Sequence, residues 1–182
     1  FVAIIGTRNA TKYGRDLTND LVKTLASSNP DTVIISGLAY GIDIAAHKAA
    51  LEHGLPTIAV VAHGLDRIYP NVHRQYASQI IQSGGAITTE YLSNPNPDPQ
   101  NFVQRNRIVA GMCDVAVVVE SAIKGGSLIT ANLANDYNRD VMAFPGRIGD
   151  KTSEGCNKLI RQHKAEIITS AEDLINLMGW NA

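Results

Sequence analysis

The sequence predicts an α/β protein with an extended Rossmann-like, doubly wound and mostly parallel sheet that carries helices on both faces. Two observations lead to this class. Short runs that are apolar at nearly every position alternate with longer segments of helical periodicity, which is typical of parallel strands buried on both faces. Glycine-containing turns follow several of these runs, and the carboxyl ends of parallel strands meet at one edge of a sheet. We therefore expect the turns after the first, second and fifth strands to converge there.

The predicted strands are short and rich in Val, Ile and Ala, and most of them end at a glycine, histidine or proline. They comprise residues 2–6, 33–35, 57–62, 86–90, 115–120, 141–144 and 167–168. The run at 115–120 is the most apolar of them.

Helices are predicted where apolar residues recur three and four positions apart. The first carries Leu17, Leu21, Val22 and Leu25 on its inward face, and the second opens at Gly41. The others cover residues 73–82, 101–112, 128–137, 157–162 and 171–178, the last of them capped by Ser170. Residues 93–100 hold three prolines and two asparagines, which predicts an irregular loop.

Length and composition favour one domain over residues 1–182. No apolar run reaches membrane-spanning length, so no membrane association is expected. Cys113 and Cys156 lack the spacing of a metal site or a disulfide framework, so we expect a cytoplasmic protein without a metal. Because the first strand starts beside Phe1, the chain is expected to be a domain cut from a longer protein. The net charge of −1 argues against a basic surface overall but leaves room for a local basic cleft.

The segment from Val33 to His47 organises the chain, because a buried strand leads through Ser36-Gly37 and Gly41 into a helix. Free amide groups and the helix dipole at such a turn favour an anion, and glycine permits close approach of a phosphate. An equally simple interpretation is that the glycines only form a tight turn. No Gly-x-Gly-x-x-Gly follows the first strand and no Gly-Lys-Ser/Thr loop occurs, so dinucleotide and P-loop binding lack their usual motifs.

Basic residues accompany the other turns. Arg8 follows Gly6 at a strand end, and Lys124 precedes a Gly-Gly-Ser turn in which Ser127 is a candidate helix cap. Arg105 and Arg107 are two positions apart on a helix, so one is expected to face the cleft while the other pairs elsewhere.

Other candidate side chains have two interpretations each. Phe102 shares a helical face with Asn106 and either stacks on a ligand or packs in the core. His47 is expected to be a packing histidine, and Asp43 is explained by the dipole and capping of its helix.

Taken in order, several motifs match a known family: Val2-Ala3-Ile4-Ile5-Gly6-Thr7-Arg8, Tyr13-Gly14, Ser36-Gly37-Leu38-Ala39-Tyr40-Gly41-Ile42-Asp43, Ala46-His47, Gly64-Leu65-Asp66, Tyr69-Pro70, Asn101-Phe102, Arg105-Asn106-Arg107-Ile108, Gly126-Ser127-Leu128-Ile129-Thr130-Ala131 and Pro145-Gly146. The chain resembles the DNA-processing protein A (DprA/Smf) family. The resemblance implies an extended Rossmann domain that binds single-stranded DNA in a basic pocket and forms a homodimer. It also implies a cytoplasmic recombination mediator that loads RecA during natural transformation, with no cofactor and no catalytic residue.

Carried onto this sequence, the resemblance implies a DNA-binding pocket built from glycines, basic residues, one aromatic ring and two small polar side chains. Its members would be Gly6, Arg8, Gly37, Phe102, Arg105, Asn106, Arg107, Lys124 and Ser127, with Arg139 and Lys158 as further additions.

An enzyme on a related scaffold is the alternative. Nucleoside-phosphate hydrolases of the lysine-decarboxylase-like family carry Pro-Gly-Gly-x-Gly-Thr near a catalytic glutamate. Here the corresponding turn is Lys124-Gly125-Gly126-Ser127 with Glu120 before it, so the proline and the Gly-Thr pair are absent. A nucleotide sensor is a third interpretation.

Overall fold

Seven parallel strands form a single sheet in the computed structural model of the protein, which describes residues 1–93 and 98–180. The strands are β1 (Val2–Ile5), β2 (Ile34–Ser36), β3 (Thr57–Val60), β4 (Ala86–Thr88), β5 (Val115–Val118), β6 (Asp140–Ala143) and β7 (Glu166–Ile167). Their spatial order is β4-β3-β2-β1-β5-β6-β7, and each neighbouring pair is parallel. The predicted fold class is confirmed.

Helices connect the strands as predicted, with shifts of a few residues at their ends. They are α1 (Lys12–Ser28), α2 (Ile42–His53), α3 (Arg74–Gln82), α4 (Pro99–Met112), α5 (Gly126–Asp136), α6 (Glu154–Arg161) and α7 (Ala171–Leu177), and a 3₁₀ turn over Asn71–His73 precedes α3. Ser170 caps α7 in a reciprocal capping box with Asp173, as the sequence indicates.

The irregular loop predicted over residues 93–100 is too long at its carboxyl end. The Asp98 side chain accepts a hydrogen bond from the amide of Gln100 at 2.8 Å, and Pro99 occupies the first helical position, so α4 begins there. A proline is compatible with the first turn of a helix because its missing N–H would have no partner there. The part of the predicted loop at 94–97 lies outside the described residues.

Both faces of the sheet are covered, because successive residues of each strand point to opposite sides. Val2 and Ile4 of β1 enter the cluster formed with α1, α2 and α7, whereas Ala3 and Ile5 enter the cluster formed with α4, α5 and α6. A smaller cluster joins α2 and α3 over β3. Continuous apolar runs are therefore explained by burial on both sides. In the described ranges, no helix combines the length and the apolar character needed to cross a bilayer.

The strand order reverses between β1 and β5. From β1 the chain steps outward through β2, β3 and β4, then returns beside β1 at β5 and continues outward through β6 and β7. Open α/β sheets bind ligands outside the carboxyl ends of the strands at such a point. The amide of Thr7, after β1, donates to the carbonyl of Glu120, after β5, at 2.7 Å, so the two halves of the sheet are joined here.

Candidate functional site

A crevice of about 330 Å³ opens at this reversal of strand order, at the carboxyl ends of β1, β2 and β5. The loops after these three strands form one wall and the first half of α4 forms the other. Of the predicted pocket residues, seven line it: Gly6, Arg8, Gly37, Phe102, Arg105, Asn106 and Ser127. The expected convergence of the turns after the first, second and fifth strands is found in the structure.

Two glycines allow the walls to approach each other. A Cβ atom on Gly6 would collide with the side chain of Ile42 at the start of α2 and lie 2.9 Å from the carbonyl of Glu120. A Cβ atom on Gly37 would lie 2.5 Å from Oδ2 of Asp43 and 2.6 Å from both terminal nitrogens of Arg105. Side chains at these positions would separate the sheet edge from α2 and α4 and deform the floor of the crevice.

Arg105 forms part of that floor and is only 4 % exposed. Its Nη1 donates to the carbonyl of Gly37 at 2.7 Å and also to the carbonyl of Val60, and its Nε donates to Oδ1 of Asn106 at 3.3 Å. The side chain therefore ties α4 to the ends of β2 and β3. Burial lowers the pKa of Arg105, and the charge of Asp43 acts in the opposite direction.

Asp43 lies in the first turn of α2, as the predicted interaction with the helix dipole requires, but it is buried beside Gly37 and does not cap the helix. Gly41, which directly precedes α2, accepts no side-chain capping hydrogen bond within the described residues. Burial raises the pKa of Asp43, while the guanidinium of Arg105 and hydrogen bonds from Ala39, Ser36 and Gly37 lower it. The sequence signal that would have linked Asp43 to Arg105 is absent, because 62 positions separate them and only the packing of α4 over β2 brings them together.

Arg8 and Phe102 form the rim of the crevice. The Arg8 side chain is exposed, and its guanidinium carbon lies 5.4 Å from the centroid of the Phe102 ring. Across the described residues Arg8 makes no ion pair. The rim thus presents a cation free to bind an anionic ligand, stacked on a half-buried aromatic ring. Of the two interpretations of Phe102, packing deep in the core is wrong.

The start of α5 contributes backbone amide groups. Gly125 precedes the helix without a side-chain cap, and both Gly125 and Gly126 line the crevice. The predicted role of Ser127 as helix cap is wrong, because Ser127 is already in the first turn and its hydroxyl donates to Oγ of Ser121 at 2.8 Å. The Leu128 amide donates to the carbonyl of Gly125 at 3.1 Å, whereas the amides of Gly126 and Ser127 have no acceptor among the described residues. These two amides are left for a ligand, and a helix N-terminus favours an anion.

The remaining predicted residues do not line the crevice. Arg107 pairs with Glu90, which matches the expectation that one of the two neighbouring arginines pairs elsewhere. Lys124 is exposed in the β5–α5 loop, and Lys158 lies on α6. Arg139 lies furthest away, since it directly precedes β6 at the amino edge of the sheet and donates to the carbonyl of Gly111 at 3.2 Å.

Glu120 follows β5, but its carboxylate turns away from the crevice. Its Oε2 accepts from the Thr11 amide at 2.9 Å and its Oε1 accepts from the Thr11 hydroxyl at 2.6 Å, which fixes the start of α1. Glu120 is buried and does not line the crevice. Glu120 is therefore not placed as the catalytic glutamate that the hydrolase alternative requires.

The sequence of this chain is similar to that of a known protein family. The family model described as DNA recombination-mediator protein A matches residues 1–179. The chain belongs to this family. The putative DNA processing protein DprA of Mycobacterium tuberculosis is 42 % identical over 177 residues, which cover 97 % of this chain and 44 % of the relative. The chain spans about half the length of the curated relatives it matches.

Two solved structures of the DprA family superimpose closely. The crystal structure of the Streptococcus pneumoniae protein is 39 % identical with a TM-score of 0.86, and the match covers 96 % of this chain and 60 % of that one. A structure of the Helicobacter pylori protein, described for its single-stranded DNA binding mode, is 35 % identical with a TM-score of 0.87, and the match covers 97 % of this chain and 79 % of that one. Family membership and fold are thus established by sequence and by structure.

Proposed function

We propose that this protein binds single-stranded DNA in the crevice, without sequence preference and without catalysing a reaction. The observation that carries the proposal is the Arg8 guanidinium, which makes no ion pair within the described residues and lies over the Phe102 ring in the crevice that the start of α5 also lines. A guanidinium and backbone amides bind phosphate oxygens that are the same at every nucleotide, and an aromatic ring stacks on any base. The Helicobacter pylori relative, described for binding single-stranded DNA, supports the same ligand.

The cellular role that we propose is that of a cytoplasmic recombination mediator. A homodimer would hold single-stranded DNA and load RecA onto it during natural transformation. The support for this role is membership of a family described as recombination mediators.

We also propose which residues form the DNA site. They are the predicted residues that line the crevice, Gly6, Arg8, Gly37, Phe102, Arg105, Asn106 and Ser127, with Arg107, Lys124 and Lys158 as peripheral contacts. Because Arg139 lies at the opposite edge of the sheet, we do not expect it to contact the DNA strand that is bound in the crevice.

Fluorescence anisotropy of a labelled poly-dT oligonucleotide tests the ligand. At low and moderate salt, the protein is titrated into the oligonucleotide, with unlabelled single strand or duplex as competitor. We expect the affinity for the labelled oligonucleotide to fall as the salt concentration rises. We also expect unlabelled single strands to be better competitors than duplex, because the crevice accepts one backbone. No binding by the folded protein at high micromolar concentration would contradict the proposal.

Arg8→Ala is the first variant to measure. Loss of one charge-assisted contact is expected to weaken binding about tenfold for every sequence and to reduce the salt slope by about 1. The matched control is Lys23→Ala, which removes the same charge from an exposed position on α1 away from the crevice. If the Arg8 and Lys23 variants bound the oligonucleotide with equal affinity, Arg8 would not be part of the binding site.

A further inference from the structure

We propose that Tyr69 forms a second base-stacking subsite, which takes the nucleobase next to the one stacked on Phe102. The inference rests on the proposed function of the crevice and extends it from one nucleotide to two. Its ligand is an unpaired base of a single-stranded nucleic acid. The Tyr69-Pro70 motif, to which the sequence analysis assigns no role of its own, would thereby acquire one in binding.

The geometry places the two rings side by side on the rim. Tyr69 lies in the loop after β3, at the same carboxyl edge of the sheet as the crevice. Its ring centroid is 5.7 Å from that of Phe102, and the ring planes are inclined by 58°. Because the Arg8 guanidinium lies over the same Phe102 ring, one cation and two aromatic rings adjoin each other there.

Core packing does not account for the position of Tyr69. Its residue surface is 47 % exposed, and within the described chain none of the three buried clusters includes it, although its neighbour Ile68 packs against one of them. An exposed aromatic ring beside a binding crevice is a typical platform for an unpaired base.

The backbone of Tyr69 is nevertheless held firmly. Its amide donates to Nε2 of the buried His63 at 3.1 Å. Nε2 is therefore an acceptor, and Nδ1 carries the proton that it donates to the carbonyl of Gly64 at 2.9 Å. A ring on a fixed backbone loses little conformational freedom when a base stacks on it.

The spacing of the rings favours single strands over duplex. Bases in a duplex stack about 3.4 Å apart with nearly parallel planes. Rings whose centroids are 5.7 Å apart and inclined by 58° would instead separate two neighbouring bases and turn them relative to each other. Only a strand whose bases are free to splay can satisfy both platforms at once.

The test compares Tyr69→Ala, Tyr69→Phe and Tyr137→Ala in titrations with dT oligonucleotides from one to fifteen nucleotides, using NMR shifts for the shortest and anisotropy for the others. Tyr137 is the control because it is also exposed but lies at the amino edge of the sheet, just after α5. We expect Tyr69→Ala to weaken binding of oligonucleotides of two or more nucleotides by about 5- to 150-fold, with the salt slope and the affinity for the mononucleotide unchanged. Tyr137→Ala should bind like the unaltered protein, and Tyr69→Phe, which keeps an aromatic ring at the subsite, should restore the binding that Tyr69→Ala loses.

A fluorescent reporter measures stacking directly. The sequence has one tryptophan, Trp180, so Tyr69→Trp in a Trp180→Phe background carries a single indole at the proposed subsite. We expect dT oligonucleotides to quench it at the stoichiometry of binding. If Tyr69 only held Phe102 in place, its loss would weaken binding of the mononucleotide and of longer oligonucleotides alike, and that result would overturn the inference. An indole that stays unquenched while the protein binds DNA would overturn it too. If the unaltered protein bound no oligonucleotide, the proposed function itself would fail.

Discussion

Arg105 shows how one residue can serve the fold and the crevice together. Its Nη1 bonds to the carbonyls of Gly37 and Val60, and its charge lies beside the buried Asp43. The side chain satisfies main-chain acceptors at the ends of two strands while it forms the floor of the crevice. A loss of DNA binding on its removal would therefore combine loss of contact with loss of structure.

Arg105→Ala is expected to lower the free energy of unfolding by about 2–5 kcal/mol, because it leaves buried carbonyls without donors and Asp43 without its cation. Urea denaturation followed by circular dichroism measures the change. Arg8→Ala is the control, because Arg8 is exposed and makes no ion pair with any described residue, so its loss is expected to change stability by less than about 0.5 kcal/mol. Coincident unfolding curves for the Arg105 variant and the unaltered protein would show that this network contributes nothing to stability.

His47 is a packing histidine, as expected, and its surroundings specify one tautomer. The Thr57 hydroxyl donates to the carbonyl of Ile34 at 2.9 Å, so it accepts from Nδ1–H of His47 at 2.7 Å. Nε2 is buried and has no partner in the described part of the chain. Burial, with smaller contributions from the charges of Arg105 and His73, lowers the pKa of His47 to about 3.

This pKa makes stability depend on pH in acid. Between the ordinary value of about 6.5 and the folded value of about 3, the unfolded chain binds a proton that the folded protein excludes. The contribution of His47 to stability is therefore present above pH 6.5 and is lost by up to about 1.4 kcal/mol per pH unit as the pH falls. Urea denaturation from pH 7 to pH 4.5 should show a shallower loss for His47→Asn than for the unaltered protein; parallel losses would contradict the assignment.

At the scale of elements, α4 and α5 contribute to the crevice in different ways. Phe102, Arg105 and Asn106 are spaced three and four positions apart, so α4 presents them on one face while Arg107 points elsewhere. The first turn of α5 instead contributes main-chain amides through Gly126, where an added Cβ would meet no atom within 4 Å. The folded protein therefore has space for a side chain at Gly126. A phosphate bound to the amides of this turn would be displaced by the same side chain.

Gly126→Ala is therefore expected to separate stability from binding. Alanine in the first turn of α5 should raise the free energy of unfolding by about 0.4–1 kcal/mol, because it restricts the unfolded chain without strain in the folded one. Its methyl group in the crevice wall should weaken oligonucleotide binding. Thermal unfolding and anisotropy measure the two effects.

Gly111→Ala is the matched control for this prediction. Gly111 lies in α4 near the amino edge of the sheet, and a Cβ there would make only ordinary contacts with Tyr137 at 3.9 Å. The same gain in stability with unchanged binding is expected. If Gly126→Ala also bound DNA normally, the start of α5 would not be a phosphate site.

At the scale of the whole molecule, the sheet was predictable because its signals are local. Apolar runs such as 115–120 mark strands buried on both faces, and the turns after β1, β2 and β5 indicate which edge carries the site. The reversal between β1 and β5 brings seven of the predicted pocket residues together.

Features that depend on distant packing could not be predicted in the same way. The contact of Arg105 with Val60 and the contact of the Tyr69 ring with the Phe102 ring join segments 45 and 33 positions apart in the chain. Side-chain periodicity likewise gives no indication that Ser127 would bond to Ser121 instead of capping α5. The position of Arg139, by contrast, follows from the predicted strand at 141–144, because a residue that directly precedes a parallel strand lies at the amino edge of the sheet.

The arrangement of the two crevice arginines also bears on how the protein can evolve. Arg8 extends from an exposed loop, so mutations there can change what the rim binds while selection for folding is barely affected. Arg105 is fixed by carbonyls from two strands, so most mutations there would be eliminated for instability before any new ligand preference could spread. A change of ligand preference would therefore proceed through the exposed rim, while the residues of the floor stay unchanged.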